Sequence, residues 1–542
     1  MAGWNFAELW EAIADKFPDA QAQVQGDRRF TWREFDTRAD ALARHLLDGG
    51  AEHQDKVALY LFNCPEYMEG CYAAFKGAFV PVNTNYRYLD DELVYLWDNA
   101  DAIAVVFHGT FSERVDAVRG RLPKVRHWIW VDDGAGDRPE WAEDYAAIVS
   151  GSSGRTIPSW GRSGDDIVMI YTGGTTGMPK GVMWRQDDLI AVTCGTGNPI
   201  FAQDPEAVGG AMGVVDGLTQ HGAPGLPACP LMHGTGWFSA NIYLTQAGSI
   251  ITLTDHSLDW IEVLDTIERE KVGALSIVGD AFGKPMVRTL DEHPGRWDLS
   301  SLVLVTSSGV MWSESVKQAM LAHNPGMLLV DTFSSSEAIG MGNSVSFGSS
   351  AEKTAHFALG AGCQVFSDAG GPVEPGSGER GRVAVPGRVP VAYYKDPEKS
   401  ASTFISYEGV RYSMPGDYAT VEADGTITLL GRGSVCINTG GEKVFPEEVE
   451  EALKIDDSVA DAVVVGVPDD RFGEAITAVV EPATGARVDE AALIAHVKEH
   501  LAHYKAPKRV LTIDSIGRAP NGKVDYKRMT AYAVDALGLT PA

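Results

Sequence analysis

The sequence predicts an α/β protein: a large N-terminal domain of helix-covered, mostly parallel sheets, a β-rich subdomain after it, and a small α+β domain at the C-terminal end. Three observations lead there. Between about residues 55 and 335, short β-rich runs alternate with helical patterns, the order that yields parallel strands covered by helices. Beyond about residue 360 the chain becomes glycine-rich and turn-rich, with shorter strands. Roughly the last hundred residues then restart with helices and strands of their own, a length able to fold alone.

In chain order, Val57-Ala-Leu-Tyr-Leu-Phe62 reads as a strand, 66–79 as a helix and Ala102-Ile-Ala-Val-Val-Phe107 as the next strand. Segment 203–229 carries many glycines and little periodicity, so it is expected to be a mobile loop or a lid. The strands Ser249-Ile-Ile-Thr-Leu-Thr254, Ala274-Leu-Ser-Ile-Val278 and Leu302-Val-Leu-Val-Thr306 precede helical patterns over 258–270, 281–294 and 313–323, and Met327-Leu-Leu-Val330 closes the series. Arg382-Val-Ala-Val385 and Thr426-Ile-Thr-Leu-Leu430 are the strands of the β-rich stretch. The terminal unit reads as a helix over 446–454, strands at Ala462–Val467 and 476–481, a helix over 489–503 and a last strand near Val510.

Composition narrows the function classes. A formal net charge of -29 is opposite to what a broad nucleic-acid surface requires, so a polyanionic ligand needs a locally built site. No run approaches the roughly 18 apolar residues of a membrane span. The N-terminus lacks a basic segment followed by an apolar one, so the expected compartment is the cytoplasm. Six scattered cysteines without C-x-x-C pairs fit buried thiols rather than a disulfide or zinc framework. Homo-oligomerisation is left open.

The chemistry begins at Tyr171-Thr-Gly-Gly-Thr-Thr-Gly-Met-Pro-Lys180-Gly181, which follows the apolar run Ile167-Val-Met-Ile170. Glycines permit close backbone approach, threonine hydroxyls add donors and a lysine adds positive charge, which together suit a phosphate. It is not a Walker A loop, since Lys180 is preceded by proline and followed by glycine. Taken alone, it is equally a glycine-rich connection between a strand and the next element. The string closely resembles the Y-T-S-G-T-T-G-x-P-K-G signature of the adenylate-forming superfamily, which contains acyl-CoA synthetases, firefly-type luciferases and peptide-synthetase adenylation domains. Gly173 stands where serine is usual. The resemblance implies that Thr172, Gly173, Gly174, Thr175, Thr176, Gly177 and Lys180 hold the phosphates of ATP.

Further motifs follow in the order of that superfamily. Ser307-Ser308-Gly309-Val310 resembles its adenine-side loop. Asp331-Thr332-Phe333-Ser-Ser-Ser336-Glu337-Ala-Ile-Gly340 resembles its Y-G-x-T-E segment. The resemblance implies Mg²⁺ binding by Glu337, adenine stacking by Phe333, an α-phosphate contact from Ser336, and nucleotide contacts from Asp331 and Thr332. By itself, a glutamate after three serines reads as the capped start of a helix. Pro415-Gly416-Asp417 resembles the T-G-D whose carboxylate takes both ribose hydroxyls, with Arg432 as a second ribose contact; a lone Gly-Asp is otherwise a turn.

Arg432 opens Gly-Ser434-Val-Cys-Ile-Asn438-Thr-Gly-Gly441-Glu-Lys443-Val-Phe-Pro-Glu-Glu-Val-Glu450, which resembles the family's hinge and loop. Ser434 falls at the hinge position, dividing the chain into an adenylation domain, 1–433, and a mobile domain, 434–542. Gly441 and Lys443 fall on the loop of the pantetheine route. Arg518-Ala-Pro-Asn-Gly522-Lys523 resembles the terminal motif, which makes Lys523 the catalytic lysine; alone, Asn-Gly-Lys is an exposed hairpin tip. His496-Val-Lys-Glu499-His500, with His503 beyond, also fits an inverted zinc-protease pattern, but a solvated helix face explains it more simply.

Pro230-Leu-Met-His233-Gly234-Thr-Gly-Trp237 resembles the P-L-x-H-x-x-G of acyl-CoA ligases and lacks the amino-group aspartate of peptide synthetases. His233, a catalytic candidate, and Gly234, Trp237, Val310 and Gly340 would border the acyl pocket; His233 is also readable as a buried structural histidine. Small residues around these positions leave room for a large apolar acid. The strings at 171–186 and 437–448 look most similar to bacterial ligases of steroid side-chain carboxylates and long fatty acids. The resemblance therefore implies an ATP-, Mg²⁺- and coenzyme A-dependent ligase of a small-molecule carboxylic acid. The alternatives are a fatty acyl-CoA synthetase, a ligase delivering to a carrier protein, a luciferase-like oxidase and a non-catalytic acyl-nucleotide binding protein.

Overall fold

The computed structural model describes all residues except 1–2, 152–153, 173–177, 196, 440–441, 470–472, 502, 521 and 540–542. The described residues form two compact units, the first drawn from 1–173, 178–354 and 385–413, the second from 355–384 and 414–542.

Two sheets build the first unit. One runs, in spatial order, Arg28–Thr31, Gln21–Gln25, Ser249–Thr252, Pro224–Pro227, Ala274–Ile277, Leu304–Ser308, Leu328–Phe333 and Gly342–Phe347. The six inner strands are parallel and the two outer ones antiparallel to their neighbours. The other has eight strands: Ala392–Tyr393, Lys180–Arg185, Ile167–Thr172, Val80–Asn83, Lys56–Tyr60, Ala102–His108, His127–Val131 and Glu143–Asp144. Parallel strands buried on both faces require continuous apolar runs, and Ala102–His108 and His127–Val131 are buried at every position.

Helices start where the sequence supplies caps. Thr31 accepts from the Glu34 N–H while the Glu34 carboxylate returns to the Thr31 N–H, a reciprocal cap that fixes the start of Trp32–Asp48. Ser313 caps Glu314–His323 in the same sense through the Val316 N–H. The N-terminal helix Phe6–Lys16 is tied down by a fully buried Lys76, whose ammonium meets Glu11, Asp36 and Asp40 at 2.8, 2.8 and 3.0 Å. Carboxylates placed around it in this way offset the cost of burying the ammonium.

The expectation of a loop or lid over 203–229 is corrected. The segment holds a 3₁₀ turn at Pro205–Val208, a helix at Gly210–Asp216 and the strand Pro224–Pro227, which sits between two parallel neighbours. Its glycine is a packing requirement: a Cβ on Gly225 would lie 2.3 Å from the Tyr243 ring. Gly225, one of the residues that hid the strand, is thus there for close approach.

In the second unit, Ile427–Arg432 pairs with both His356–Leu359 and Asp417–Val421, and Asp417–Val421 pairs with residues 380–382. A separate sheet orders Glu442–Val444, Ile437–Thr439, Gly473–Pro482 and Val459–Asp469, with Arg509–Thr512 parallel on Gly473–Pro482. The helix expected over 489–503 ends at His500, and a helix at Tyr526–Ala536, unannounced by the sequence reading, packs Met529, Ala533 and Val534 into the core. Among the described residues, no helix is long and apolar enough to cross a membrane.

Candidate functional site

In the first unit the phosphate loop joins two antiparallel strands whose last register pair is Thr172 with Lys180. Gly173, Gly174, Thr175, Thr176 and Gly177 lie outside the described residues. The Lys180 ammonium pairs with the Asp396 carboxylate.

Ser308 and Thr332 face each other across adjacent parallel strands, as do Ser307 and Asp331. Both chains leave the sheet edge here, delivering Ser308-Gly309-Val310 and Phe333-Ser-Ser-Ser-Glu337 side by side. No helix begins after Phe333. The segment makes a tight turn in which Ser335 N–H and Ala338 N–H bond each other's carbonyls at 2.9 and 3.2 Å, and Ser334 Oγ accepts from Gly340 N–H at 2.9 Å. The capped-helix alternative for Glu337 is thereby removed. Glu337 is buried, with Oε1 accepting from the Tyr393 hydroxyl at 2.9 Å and its carbonyl accepting from Ser413 Oγ at 2.6 Å.

The turn meets the start of helix Gly234–Thr245. Ser336 Oγ is 3.4 Å from where a Gly234 Cβ would stand, and Thr235 Oγ1 reaches the Ser308 carbonyl at 3.5 Å. His233 occupies the N-cap position, half-buried. The structure therefore brings together His233, Gly234, Ser308, Gly309, Ser336 and Glu337, which lie up to about a hundred positions apart in the chain. Trp237, whose backbone N–H bonds the His233 carbonyl at 3.0 Å, turns its side chain into the core: it is buried, its indole N–H directed at Cys71 Sγ at 3.2 Å and its ring edge-on to Phe6. A narrow void of about 10 Å³, lined in part by His233, Trp237, Tyr67 and Asn83, has room for at most one water and not for a substrate. Phe333 is buried and Gly340 and Gly309 are exposed. Burial, opposed by nearby Lys317, pushes the Asp331 carboxyl up to about 7.

In the second unit, Asp417 and Arg432 are register partners on antiparallel strands, with Arg432 Nε donating to Asp417 Oδ1 at 3.2 Å. The other oxygen, Oδ2, is buried without a hydrogen-bond partner among the described residues. An orphaned carboxylate oxygen is costly to leave unmet and suits a hydroxyl-bearing ligand. Beside it, Gly431 adopts φ +118°, and a Cβ there would fall 2.2 Å from Glu447 Oε2. Glu447 is enclosed, and burial together with Glu450 pushes its carboxyl up to about 8.

Lys523 is exposed on a turn held by the Ala519 N–H to Lys523 carbonyl bond, 2.9 Å, and by Arg518, which donates to the Gly522 carbonyl at 3.1 Å while forking onto Asp461 at 2.6 and 2.8 Å. Gly441 lies outside the described residues; Ser434 falls on the 3₁₀ turn Gly433–Val435 and Lys443 on the strand Glu442–Val444. The histidine decoy resolves as helix surface: His496 Nε2 meets the Ala452 carbonyl and His500 Nδ1 the His496 carbonyl.

Tyr393 and Asp396 escaped the sequence reading. Tyr393 is 56 positions from Glu337 and Asp396 is 216 from Lys180. The one local signal, Asp396-Pro-Glu-Lys399, reads simply as a helix cap, which it also is.

Comparison with known proteins agrees with this geometry. A model of the AMP-binding enzyme family matches residues 10–394, and one of the AMP-binding enzyme C-terminal domain matches 448–523. A Mycobacterium tuberculosis protein named medium/long-chain-fatty-acid–CoA/3-oxocholest-4-en-26-oate–CoA ligase is 39% identical over 96% of this chain and 95% of its own. A Rhodococcus rhodochrous 3-oxocholest-4-en-26-oate–CoA ligase is 39% identical over 99% and 97%. In fold, the chain is similar to the anthranilate CoA ligase AuaEII solved with anthranoyl-AMP, at TM-score 0.81, 20% identity and 99% coverage of both chains. It is also similar to ATP-bound MatB of Rhodopseudomonas palustris, at TM-score 0.79, 23% identity and 99% and 100% coverage. The chain belongs to the AMP-binding enzyme family.

Proposed function

We propose that the protein is an ATP-dependent acid–CoA ligase that activates a bulky apolar carboxylic acid, a steroid side-chain carboxylate foremost, as its acyl-adenylate and transfers the acyl group to coenzyme A. The observation that carries the chemistry is the turn at Ser334–Gly340, which sets Ser336 against Gly234 at the start of the helix whose Thr235 reaches the Ser308 carbonyl, and buries the neighbouring Glu337 carboxylate on the Tyr393 hydroxyl. The steroid substrate is supported by the names of relatives 39% identical along nearly the full length. Those names include medium- and long-chain fatty acids, so straight-chain acids form the second reading.

The substrate carboxylate attacks the α-phosphorus of ATP and displaces pyrophosphate; the coenzyme A thiol then attacks the acyl carbon and displaces AMP. For the first half, Lys180 offers charge to the polyphosphate and Ser336 a hydroxyl to the α-phosphate. Asp417, with one oxygen orphaned and the other set by Arg432, takes the ribose hydroxyls, and Lys523 neutralises charge on the reacting phosphate and carboxylate. A buried carboxylate oriented by a tyrosine is a hard oxygen donor and fits Mg²⁺, which when bound would screen the phosphate charge. Ser434 serves as the hinge between an adenylation domain, 1–433, and a mobile domain, 434–542, with Gly441 and Lys443 on the pantetheine route. A cytoplasmic enzyme, self-associating or monomeric, is the setting that fits these substrates.

The test is mass spectrometry of purified protein with Mg-ATP, coenzyme A and steroid side-chain acids beside medium- and long-chain fatty acids. Preferential steroid thioester is expected. Straight-chain preference would reject the steroid substrate, and pyrophosphate without thioester would reject coenzyme A as acceptor.

A further inference from the structure

The strand Ala392–Tyr393 lies at the edge of the eight-stranded sheet, antiparallel to Lys180–Arg185, the strand that leaves the phosphate loop. Backbone bonds extend that pairing on both sides: Val391 N–H to the Met183 carbonyl and Tyr394 N–H to the Gly181 carbonyl, each 2.7 Å. The register is therefore fixed where it matters, and it carries two polar side chains toward charged groups. Tyr393 is buried and donates to Glu337, and Asp396, three residues on, meets Lys180. The Asp396 carboxylate does two jobs. Its Oδ1 accepts the Lys399 N–H at 3.0 Å and caps the helix Pro397–Thr403, while its Oδ2 faces the lysine ammonium. The lysine beside it, together with that cap, holds the Asp396 carboxyl below the usual range, so it is an anion at neutral pH.

A helix cap does not need a charge, since asparagine caps as well as aspartate. A full negative charge on the cation that the function proposed above assigns to polyphosphate therefore calls for its own explanation. One ammonium cannot give its full charge to two anions, and a carboxylate next to a phosphate site repels what enters it.

We propose that Asp396 is a built-in competitor for Lys180: it shares the ammonium with the polyphosphate, weakens the hold on it, and so hastens departure of the pyrophosphate formed by adenylation. This rests on Lys180 being the polyphosphate cation. A lysine held by no anion would hold both ATP and pyrophosphate more tightly, since pyrophosphate keeps the charges that Lys180 meets. Asp396 thus trades substrate affinity for product release.

Asp396→Asn removes the charge and keeps the cap. In the full-length protein, the dissociation constant of Mg-pyrophosphate, read by calorimetry, is expected to fall by about three- to thirty-fold, the range for one partly exposed unit charge a few ångströms away. That of AMP is expected to stay within about twofold. Pyrophosphate becomes a correspondingly stronger product inhibitor. In a Lys180→Ala background the gain from Asp396→Asn is expected to disappear. Unchanged or weaker pyrophosphate binding in Asp396→Asn, where Lys180→Ala alone weakens it, overturns the competitor and leaves Lys180 its role. A full gain persisting without the lysine also overturns it, in favour of general repulsion. If Lys180→Ala leaves pyrophosphate binding unchanged, the assignment of Lys180 is what fails, and the competitor fails with it.

Discussion

Asp417→Asn isolates the ribose end of the nucleotide. In the folded protein Oδ1 is engaged by Arg432 Nε at 3.2 Å, and Oδ2 is buried with no partner. Two ribose hydroxyls would find one charged acceptor already aimed and partly desolvated, so little reorganisation is needed on binding. Asparagine keeps the shape and one acceptor, but turns the orphaned oxygen into an N–H donor facing a hydroxyl and deletes the charge. A hydrogen bond to a charged group is worth about 1.5–3 kcal/mol, which converts to about 10- to 150-fold weaker AMP binding. Arg432, 38% exposed at its side chain, keeps water as a partner, so the fold should tolerate the change. Calorimetric titration with AMP reads the loss, and pyrophosphate, which has no ribose, is the control that must not move. AMP affinity within threefold of the unsubstituted protein, with an unchanged melting curve, would refute the ribose assignment.

Three further outcomes are expected. Lys523→Ala should collapse adenylation, assayed as pyrophosphate exchange, by about 10²-fold or more, the usual loss for one preorganised cation, while thioester formation from supplied acyl-adenylate survives; equal loss of both halves would rule out its confinement to the first. Burial pushes the Asp331 carboxyl up to about 7, well above the ordinary aspartate range, so between that range and pH 7 the unfolded chain has released a proton that the folded protein retains, and stability falls as pH rises through that window. The melting temperature of Asp331→Asn relative to the native protein should therefore increase from pH 4 to 7 and level off above, and a flat difference would contradict the buried neutral carboxyl. Gly431→Ala, forced into φ +118° and into the Glu447 carboxylate, should cost on the order of 2 kcal/mol or more, and an unchanged denaturant midpoint would show that the turn relaxes freely.

The motifs legible in the sequence were those whose function fixes residues close together in the chain. The phosphate string at 171–181, the Asp331–Gly340 segment and the Arg518–Lys523 turn each serve one task with one stretch of backbone, so spacing alone exposes them. The inner strands were legible for a related reason: burial on both faces leaves only apolar runs such as Ala102–His108. Pro224–Pro227 escaped because the helix above it comes so close that Tyr243 excludes a side chain at Gly225. A packing demand there produced residues that locally read as a loop.

What the sequence by itself determined, then, was the α/β class, the order of the motifs and the identity of Glu337, Lys180, Asp417 and Lys523 as candidates. Only the tertiary structure decided the partners of those groups. It rejected a helix after Phe333, sent Trp237 into the core against Cys71, and set Tyr393 on Glu337 and Asp396 on Lys180. The physical reason is that a charge is tuned by whatever lies within a few ångströms of it. In these sheets, neighbours at that distance come from segments as far apart as Lys180 and Asp396, 216 positions, a relation that no local pattern of residues records.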